Sequence, residues 1–433
     1  MTAHSLPVRH LDLSTARKDA DAGDTAAFSI FWWKDLPLGM RASLPEELPF
    51  GEAQLRQFTA EYGAEQLAAR SPALGAPLRA TFEGRPRQAL ALAHVLGADK
   101  LVEELDGLAT MPPVPAEDIS VVICTRDRGE ALAGCLKSAV AQASAAGEIV
   151  VIDNSRDGGA EPICRRFPKV RHVHEPRPGL SVARNAGIRA SRGEIIAFTD
   201  DDVELHPNWT SEIARAFSNE DFEALAGLVL PAGLDTRAQR IFQLEMGGFG
   251  TTFVPLRFDH RFFEETRPHG AHVWKIGAGA NMAFRRTLFE RIGLFDERLG
   301  AGASGCSEDS ELWYRLLAEG GTCLYEPRAV VFHHHRRELP ELRRQMRSYM
   351  KGHVAALVAQ YDAFGDRGNL TRIFGQLPVY FLKTFLKGLL EKQRGRPETL
   401  VSEVAGWAAG LQFLCRPGWR RQRAPRYFED GAI

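Results

Sequence analysis

The sequence predicts an α/β protein built on a mixed, mainly parallel β-sheet with flanking helices. Between about residues 118 and 336, short β-branched runs alternate with helically spaced apolar residues, the rhythm of strands joined by crossover helices. Polar clusters directly follow three of these strands. With 433 residues, 44% of them hydrophobic and 25% charged, the chain has the composition of a soluble globular protein of two to three domains.

Charge, cysteines and hydropathy exclude several classes of protein. A net charge of −1 argues against a polycation built to bind nucleic acid. The six cysteines form no C-x-x-C pair, which argues against a zinc knuckle and suits reduced thiols. No apolar run follows Met1, and no stretch is long enough to span a membrane. We therefore predict a cytoplasmic protein.

Three regions are predicted along the chain. The stiff segment Met111-Pro112-Pro113-Val114-Pro115 closes an N-terminal accessory region, residues 1–115, which is predicted to be mainly helical from the apolar spacing between about 52 and 106. Within it, the run from Phe28 to Trp33 is either a strand or an aromatic plug. Residues 116–338 form the predicted sheet domain, and residues 339–433 a C-terminal helical tail.

Four strands and two helices can be placed in the sheet domain. The predicted strands are the apolar runs Ile119–Cys124, Glu148–Ile152, Val170–His174 and Glu194–Phe198. Helical spacing of Leu132, Leu136 and Val140 follows the first strand, and a helix through Ala183 and Ile188 precedes the fourth. Ligands of such sheets bind beyond the carboxyl ends of the strands, so the residues there are the first candidates for chemistry.

Three polar clusters fall at those strand ends and are expected to converge on one cleft. They contain Thr125 and Arg126, then Asp153, and then Asp200, Asp201 and Asp202. Alternate carboxylates at a strand end point the same way, so Asp200 and Asp202 can share a target. Such hard oxygen ligands suit Mg²⁺ or Mn²⁺, which would in turn hold a diphosphate. The alternative is a solvated acidic turn or a helix cap.

Basic and small residues supply further candidates. Arg177, in a rigid turn, and Arg184, on the following helix, can grip phosphate, although a surface turn and a helix salt bridge explain them equally. The segment from Gly277 to Arg285, with Gly279 and Asn281, either allows close approach of a ligand or is a plain tight turn.

Two later motifs complete the candidate site. Glu308 and Asp309 fall at a predicted helix start, where a carboxylate either stabilises the helix dipole or serves as a general base for an incoming hydroxyl. His333 and His335 end a strand and are either additional metal ligands or part of a solvated basic turn.

Taken in order, these motifs resemble family 2 glycosyltransferases with the Rossmann-like GT-A fold. The resemblance covers about residues 118–336 and depends on segments such as Ala183-Arg184-Asn185-Ala186-Gly187 and the acidic triplet, here a D-x-D motif. It implies inverting transfer of a sugar from a nucleoside diphosphate, usually UDP, to a hydroxyl of a saccharide or lipid-linked acceptor, with Mn²⁺ or Mg²⁺. It also implies a role in surface polysaccharide or glycoconjugate biosynthesis.

The resemblance also implies roles for single residues. Asp153, with Thr125 and Arg126, would contact the nucleotide base, and Arg184 the diphosphate. Asp200 would face the ribose and Asp202 the metal, with Asp201 in the donor site between them. The catalytic base would be Asp309, with Glu308 beside it. Gly279 and Asn281 would line the sugar and acceptor side.

Departures from the family pattern restrict what the resemblance implies for this chain. The second strand ends Asp153-Asn154-Ser155 rather than Asp-Asp-Gly-Ser, so base contacts are expected to differ. No Q-x-x-R-W motif occurs, which disfavours a processive synthase. A non-catalytic sugar-nucleotide-binding or scaffold protein remains the alternative. A sugar nucleotidyltransferase is disfavoured because a Gly-rich basic loop does not follow the first strand.

The C-terminal tail raises the question of a membrane. An apolar stripe extends from Leu370 through Ile373, Phe374, Leu377, Phe381 and Phe385 to Leu389, accompanied by lysines and arginines. This pattern fits either an interfacial helix on anionic lipid, at the inner face of the cytoplasmic membrane, or an amphipathic helix packed on the enzyme. The expected partners are the donor, the acceptor and this peripheral membrane contact, but not nucleic acid.

Overall fold

The computed structural model describes residues 5–15, 25–70, 97–142, 144–219, 221–250, 252–390, 396–416 and 419. Some residues behind the predictions lie outside this part of the chain. They are Ala91, Leu92, Val95 and Leu96, which belong to the helical spacing of the N-terminal region, and Lys392 and Arg394, which accompany the C-terminal apolar stripe.

The N-terminal region adds a small sheet to its predicted helices. Its elements are β1 (Val8–Asp12), β2 (Ala27–Trp33), β3 (Leu36–Ser43), α1 (Glu52–Arg70) and α2 (Ala98–Ala109). Of the two alternatives for Phe28–Trp33, the strand is correct: β2 is the middle strand of three, parallel to β1 and antiparallel to β3.

Side-chain alternation along β2 joins this region to the sheet domain. Phe31 and Trp33 face the region's own helices, whereas Phe28, Ile30 and Trp32 pack on strands of the central sheet. An ion pair between Arg70 of α1 and Glu326 of the sheet, 2.7 Å long and almost fully buried, adds a second link. The division of the chain at residue 115 stays a prediction.

The central sheet contains nine strands among the described residues. They are β4 (Ala116–Thr125), β5 (Ala146–Asp153), β6 (Val170–His174), β7 (Ile195–Asp200), β8 (Val203–Leu205), β9 (Ala224–Pro231), β10 (Leu256–Phe258), β11 (Asn281–Arg285) and β12 (Cys323–His333). Their order is β10-β12-β9-β11-β7-β4-β5-β6, with β8 on β12. The half β7-β4-β5-β6 is parallel throughout, which confirms the predicted strands and their common carboxyl edge.

Helices cover both faces of the sheet because its strands are apolar on both sides. Val122, Ile152 and Phe198 point to one helical layer, while the alternate residues Val121 and Val151 point to the other. The helices are α3 (Gly129–Val140), α4 (Glu161–Cys164), α5 (Leu180–Ala190), α6 (Trp209–Asn219), α7 (Arg237–Arg240), α8 (His260–Thr266), α9 (Arg286–Ile292) and α10 (Glu308–Ala318). Short 3₁₀ turns occupy Pro45–Glu47, Arg267–His269 and Val273–Lys275, and a π-helical turn occupies Ile241–Glu245.

The C-terminal region is helical, as predicted. It comprises α11 (Leu339–Phe364), α12 (Arg367–Thr371), a π-helical turn (Arg372–Gln376), α13 (Leu377–Leu390), α14 (Arg396–Leu411) and a 3₁₀ turn (Gln412–Cys415). Gly406 and Gly410 let α14 approach α11 closely, because a Cβ at Gly406 would lie 2.3 Å from the carbonyl oxygen of Arg347. None of the described helices is long and apolar enough to cross a membrane.

The predicted apolar stripe splits between two faces in the structure. Ile373, Leu377 and Phe381 are buried, whereas Phe374 and Phe385 are half exposed. Phe374 directly follows Ile373 and therefore points to another side of the helix, and Phe385 lies one turn beyond Phe381 on α13. One stripe in the sequence therefore does not become one buried face.

Candidate active site

A cleft of about 1020 Å³ opens at the carboxyl edge of the parallel strands and contains most of the predicted site. Strand ends and the loops after them form one wall, and helices α11 to α13 form the opposite wall. Its volume suits two substrates side by side. Predicted residues that line it are Thr125, Arg126, Arg184, Asp200, Asp201, Asp202, Gly279, Glu308, Asp309 and His333.

The acidic triplet is the exit of β7, and its three carboxylates have different surroundings. Asp201 accepts hydrogen bonds from Thr125 Oγ1 at 2.7 Å and Arg128 at 2.9 Å. Burial raises the pKa of Asp201 to about 6, against the pull of Arg128. Asp201 therefore fastens the loop after β4 to the turn after β7, which is a structural task within the wall formed by the strand ends.

Asp202 is the charged centre of this wall. Its Oδ2 meets Arg128 at 2.8 Å and Arg336 at 3.5 Å, and its Oδ1 lies 3.4 Å from His333 Nε2. Burial works to raise the pKa of Asp202, but the attraction of His333 in its protonated form, of Arg128 and of Arg336 outweighs it and lowers the pKa. Burial lowers the pKa of His333 to about 4, so at neutral pH the two arginines are the standing counter-charges.

The hydrogen bonds of His335 determine which nitrogen of His333 carries a proton. His335 Nε2 lies 3.1 Å from Gln243 Oε1, an acceptor, so this nitrogen donates. Burial lowers the pKa of His335 to about 3, so the ring is neutral and its Nδ1 accepts from His333 Nδ1 at 2.9 Å. The lone pair of His333 Nε2 is thereby directed at Asp202 Oδ1.

Two acceptors that face each other with no proton between them fit a divalent cation. The donor set, one neutral imidazole and one carboxylate oxygen, suits Mn²⁺ or Mg²⁺ completed by substrate phosphates and water. No three His, Cys, Asp or Glu side chains of the described chain converge so as to hold a metal by themselves. His335 lies behind His333, so the structure places it as a positioning residue rather than as a ligand.

Arg184 joins two of the acidic residues at the cleft floor. Its buried guanidinium lies 2.6 Å from Glu308, 3.4 Å from Asp200 and 3.2 Å from the carbonyl oxygen of Gly279. Burial raises the pKa of Glu308 to about 7, against the pull of Arg184. These contacts favour a role for Arg184 and Glu308 in positioning Asp200, rather than in direct diphosphate binding by Arg184.

Asp309 is the carboxylate that the fold directs into the cleft. It lies in the first turn of α10, where Oδ1 accepts from its neighbour's amide, that of Ser310, at 2.6 Å. Its Oδ2 accepts from the amide of Gly279 at 2.8 Å. A Cβ at position 279 would lie 2.7 Å from the Arg184 guanidinium, so a side chain there would displace Arg184. The two amides fix the carboxylate orientation without neutralising its charge.

Besides His335, three predicted site residues do not line the cleft. Asp153 is fully buried and accepts from Ser155, from the amide of Ala160 at 2.7 Å and from His172 at 3.2 Å, so it holds the loop after β5 together. The exposed Arg177 pairs with Glu175 at 2.8 Å.

The third of these residues is Asn281, which is buried in the core. It accepts from Trp209 Nε1 at 2.8 Å and donates to the carbonyl oxygens of Leu228 and Ala329. The expected contacts of Asp153, Arg177 and Asn281 with donor or acceptor are therefore corrected to structural roles.

Several cleft residues were missed. Arg128 is the last residue of the Thr125-Arg126-Asp127-Arg128 cluster, and Arg336 directly follows the histidines. Their positions next to predicted residues could have identified them as site residues. Asn154 anchors the loop before α5 by donating to the carbonyl oxygens of Glu175 and Arg177 and accepting from the amide of Gly179. Trp274, His353 and Arg372 lie on separate segments and carried no recognisable pattern.

Comparison with protein families gives a match over the sheet domain. Residues 120–293 match the model described as "Glycosyl transferase family 2". The matched segment begins in β4 and ends directly after α9. It therefore contains the acidic triplet, Arg184 and Gly279, but not Asp309 or His333.

Individual relatives and solved structures are more distant. The chain is 24% identical over 191 residues to "Glucosyl-dolichyl phosphate glucuronosyltransferase" of Haloferax volcanii, covering 42% of this chain and 57% of that protein. It is 27% identical over 265 residues to "Succinoglycan biosynthesis protein ExoO" of Rhizobium meliloti, covering 57% and 68%. A mannosyltransferase of Pyrobaculum calidifontis, solved with GDP-Man and Mn²⁺, gives a TM-score of 0.44 at 18% identity, covering 70% and 91%. At that score the likeness carries no inference about this chain.

Proposed function

Since this chain belongs to glycosyltransferase family 2, we propose that it is an inverting transferase that moves a sugar from a nucleoside diphosphate to an acceptor hydroxyl. The observation that supports this most directly is the division of one cleft between two kinds of carboxylate. Asp202 faces a neutral imidazole beside two arginines, whereas Asp309 has no arginine contact among the described residues and its orientation is fixed by two amides.

The Asp202 side suits the donor diphosphate. Asp202 and His333 would hold a divalent cation, and Arg128 and Arg336 add positive charge beside it. A cation bound there would neutralise charge on the leaving diphosphate. Arg126, which lines the cleft after β4, is placed to contact the nucleotide. We propose UDP as the nucleoside diphosphate, as the family resemblance implies.

The Asp309 side suits the acceptor. Asp309 takes the proton of the acceptor hydroxyl while that oxygen attacks the anomeric carbon. The new C–O bond forms on the face opposite the breaking C–O bond to phosphate, and the nucleoside diphosphate leaves with the electron pair of that bond. A single displacement of this kind inverts the anomeric configuration. The chemistry requires one base, and positioned bases contribute roughly 10²–10⁴-fold to rate.

The first test is the variant Asp309→Asn. We expect release of nucleoside diphosphate from UDP-, GDP- and dTDP-sugars, with Mn²⁺ and water or added saccharide as acceptor, to fall about 10²–10⁴-fold. Thermal stabilisation by the matching nucleoside diphosphate is expected to remain, since Asp309 lies on the other side of the cleft.

The exposed acid Asp157 offers a matched control, because Asp157→Asn removes the same charge away from the cleft. Full turnover in Asp309→Asn would contradict the assignment of the base. A wild-type protein that binds a nucleoside diphosphate but releases none from any sugar donor would instead favour the non-catalytic alternative.

We also propose that the acceptor side faces a lipid bilayer. Five large apolar side chains on and before α13 are 47–58% exposed: Phe374, Val379, Leu382, Phe385 and Leu386. The same helix contributes Leu377 and Tyr380 to the cleft wall, so the apolar surface borders the acceptor side. Lys383 and Lys387 are exposed on this helix and complement anionic lipid headgroups.

Such a surface fits an acceptor carried on a lipid. The names of two relatives, which refer to a dolichyl phosphate substrate and to a polysaccharide, agree with a role in surface polysaccharide or glycoconjugate biosynthesis. The proposed location is thus the cytoplasmic face of the membrane, in peripheral contact through α13.

Flotation with vesicles tests this contact. We expect wild type to float with vesicles containing about one third phosphatidylglycerol, and Leu382→Gln/Phe385→Gln to lose about 100-fold in partitioning, since each buried apolar side chain contributes about 1.5–3 kcal/mol. Leu44→Gln, on a comparably exposed leucine of the N-terminal region, is the control. Equal flotation of all three proteins, or flotation of none, would contradict the proposal.

A further inference from the structure

The acceptor wall of the cleft contains an arginine whose partners are all neutral. Arg372 begins the π-helical turn before α13 and lines the cleft. Its Nε lies 3.1 Å from His353 Nε2, its Nη1 donates to Gln376 at 3.0 Å, and its Cζ lies 3.8 Å from the centre of the Trp274 ring. Among the residues that the structure describes, no carboxylate pairs with this guanidinium.

Among the described residues, the three arginines that are buried each have an acidic partner. Arg184 pairs with Glu308, Arg315 with Glu311 at 2.7 Å and Arg328 with Glu212 at 2.8 Å. Enclosing a guanidinium without a counter-charge is unfavourable. Burial accordingly lowers the pKa of Arg372 to about 10, and burial lowers the pKa of His353 to about 3, so the imidazole adds no negative or positive charge. The positive charge of Arg372 is balanced only when an anion enters from the cleft.

The position of Arg372 indicates which substrate would bring that anion. Tyr349, one helical turn before His353 on α11, also lines the cleft and lies close enough to Asp309 and Asp200 for their charges to act on its hydroxyl. The wall therefore leads from the Asp309 region along α11 to Arg372. The donor diphosphate has its own cationic groups at Arg128 and Arg336, so Arg372 is left for the acceptor.

We propose that Arg372, stacked on Trp274 and fixed by His353, binds a phosphate or diphosphate group of the acceptor. The site takes an amphiphile whose phosphate pairs with the guanidinium, whose hydroxyl reaches Asp309 and whose lipid chain follows the exposed apolar side chains of α13. The assignment of the acceptor side depends on the proposed function. The anion site itself depends only on the contacts of Arg372.

The test measures binding of three probes by calorimetry: farnesyl phosphate, glycerol phosphate and the neutral alcohol farnesol. Saturating nucleoside diphosphate with Mn²⁺ is added to occupy the donor side. We expect Arg372→Gln to weaken farnesyl phosphate binding about tenfold or more, since a charge-assisted bidentate contact is lost. Farnesol should bind wild type and variant equally.

Two further variants keep the result interpretable. Arg343→Gln removes an exposed arginine of α11 that pairs with Glu398 outside the cleft, and its affinity for farnesyl phosphate should equal that of wild type. Arg372→Lys retains the charge without the planar fork and should bind with intermediate affinity. If Arg372→Gln does not fold, Arg372→Lys tests the anion site in its place. An affinity of Arg372→Lys for farnesyl phosphate equal to that of wild type would then overturn the site.

The outcomes separate the proposal from the function on which it is based. Equal affinity of wild type and Arg372→Gln for farnesyl phosphate would overturn the anion site. Glycerol phosphate binding as tightly as farnesyl phosphate, and equally dependent on Arg372, would overturn the lipid chain and indicate a soluble phosphorylated acceptor. Loss of nucleotide binding by wild type would contradict the proposed function alone, because probe binding can then be measured without nucleotide.

Discussion

The two walls of the cleft manage charge in different ways. The donor wall is the one formed by the strand ends. On it, the cations and anions of the protein contact each other: Arg128 contacts Asp201 and Asp202, and Arg184 contacts Glu308 and Asp200. On the acceptor wall, Arg372 is surrounded by an imidazole, an amide and an indole. The first wall is electrostatically complete apart from the gap between His333 and Asp202, whereas the second contains an uncompensated cation.

This difference indicates what each wall binds. Beside Asp202, the lone pair of His333 faces a carboxylate oxygen, and the proposed divalent cation would fill this gap. Where a cation has only neutral partners, as at Arg372, the missing charge is negative, and the proposed anionic substrate group would supply it. The balance of charge on each wall therefore predicts the ligand that completes it.

The largest expected effect on this comparison comes from Asp202→Asn. The change removes the anionic half of the proposed cation pair, so metal-dependent nucleotide binding should be lost, with affinity falling about 100-fold or more. The measurement is the melting temperature with UDP, GDP and dTDP, each with Mn²⁺ and with chelator. Ligand at 100 times its Kd stabilises by about 2.7 kcal/mol, which is readily detected.

The donor and acceptor walls should respond differently to Asp202→Asn. Farnesyl phosphate binding at Arg372 is expected to persist in this variant when measured without nucleotide. A metal-dependent shift as large as in wild type would show that Asp202 does not hold the cation, and would remove the stated distinction between the walls.

A smaller effect is expected from His335→Phe. The phenyl ring keeps the packing against Phe242 and Phe249 but no longer accepts the proton of His333 Nδ1. His333 is then free to present its protonated nitrogen to Asp202. The Mn²⁺ concentration needed for half-maximal stabilisation by nucleotide should rise about 10–100-fold, as for other residues that orient metal-binding histidines.

The neighbouring His334 supplies the control for this variant. It is exposed and contacts Glu204 rather than the cleft, so His334→Gln should leave the metal requirement unchanged. A purely structural role of His335 would lower the melting temperature of the free protein while the Mn²⁺ requirement stayed the same, and that result would refute the positioning role.

Much of the donor wall could be predicted because it belongs to single strand ends. Apolar runs identify β4 and β7, and the polar residues directly after them share one edge of a parallel sheet. The same logic failed for Asp153 and Asn281. Each follows or begins a strand at the correct edge, but the side chain of each is consumed by neighbouring backbone groups, which residue type and spacing do not reveal.

The acceptor wall was not predictable in the same way. Trp274, His353 and Arg372 are separated by 79 and 19 positions in the sequence, and each alone resembles an ordinary core or surface residue. The apolar stripe near Phe381 was recognised, but the structure buries Ile373, Leu377 and Phe381 and leaves Phe374 and Phe385 exposed. Which apolar residues of a helix are covered depends on the packing of distant segments rather than on spacing.

By itself, the sequence determined the parallel half of the sheet, the edge at which the candidate site lies and the presence of the carboxylates Asp202 and Asp309. It did so because strand hydrophobicity and the polar residues at strand ends are local properties. The tertiary structure alone decided which charges meet. It paired Arg184 with Glu308, turned His335 away from the cleft and gave Arg372 only neutral partners among the described residues. Ion pairing and tautomer choice depend on atoms brought together from distant segments.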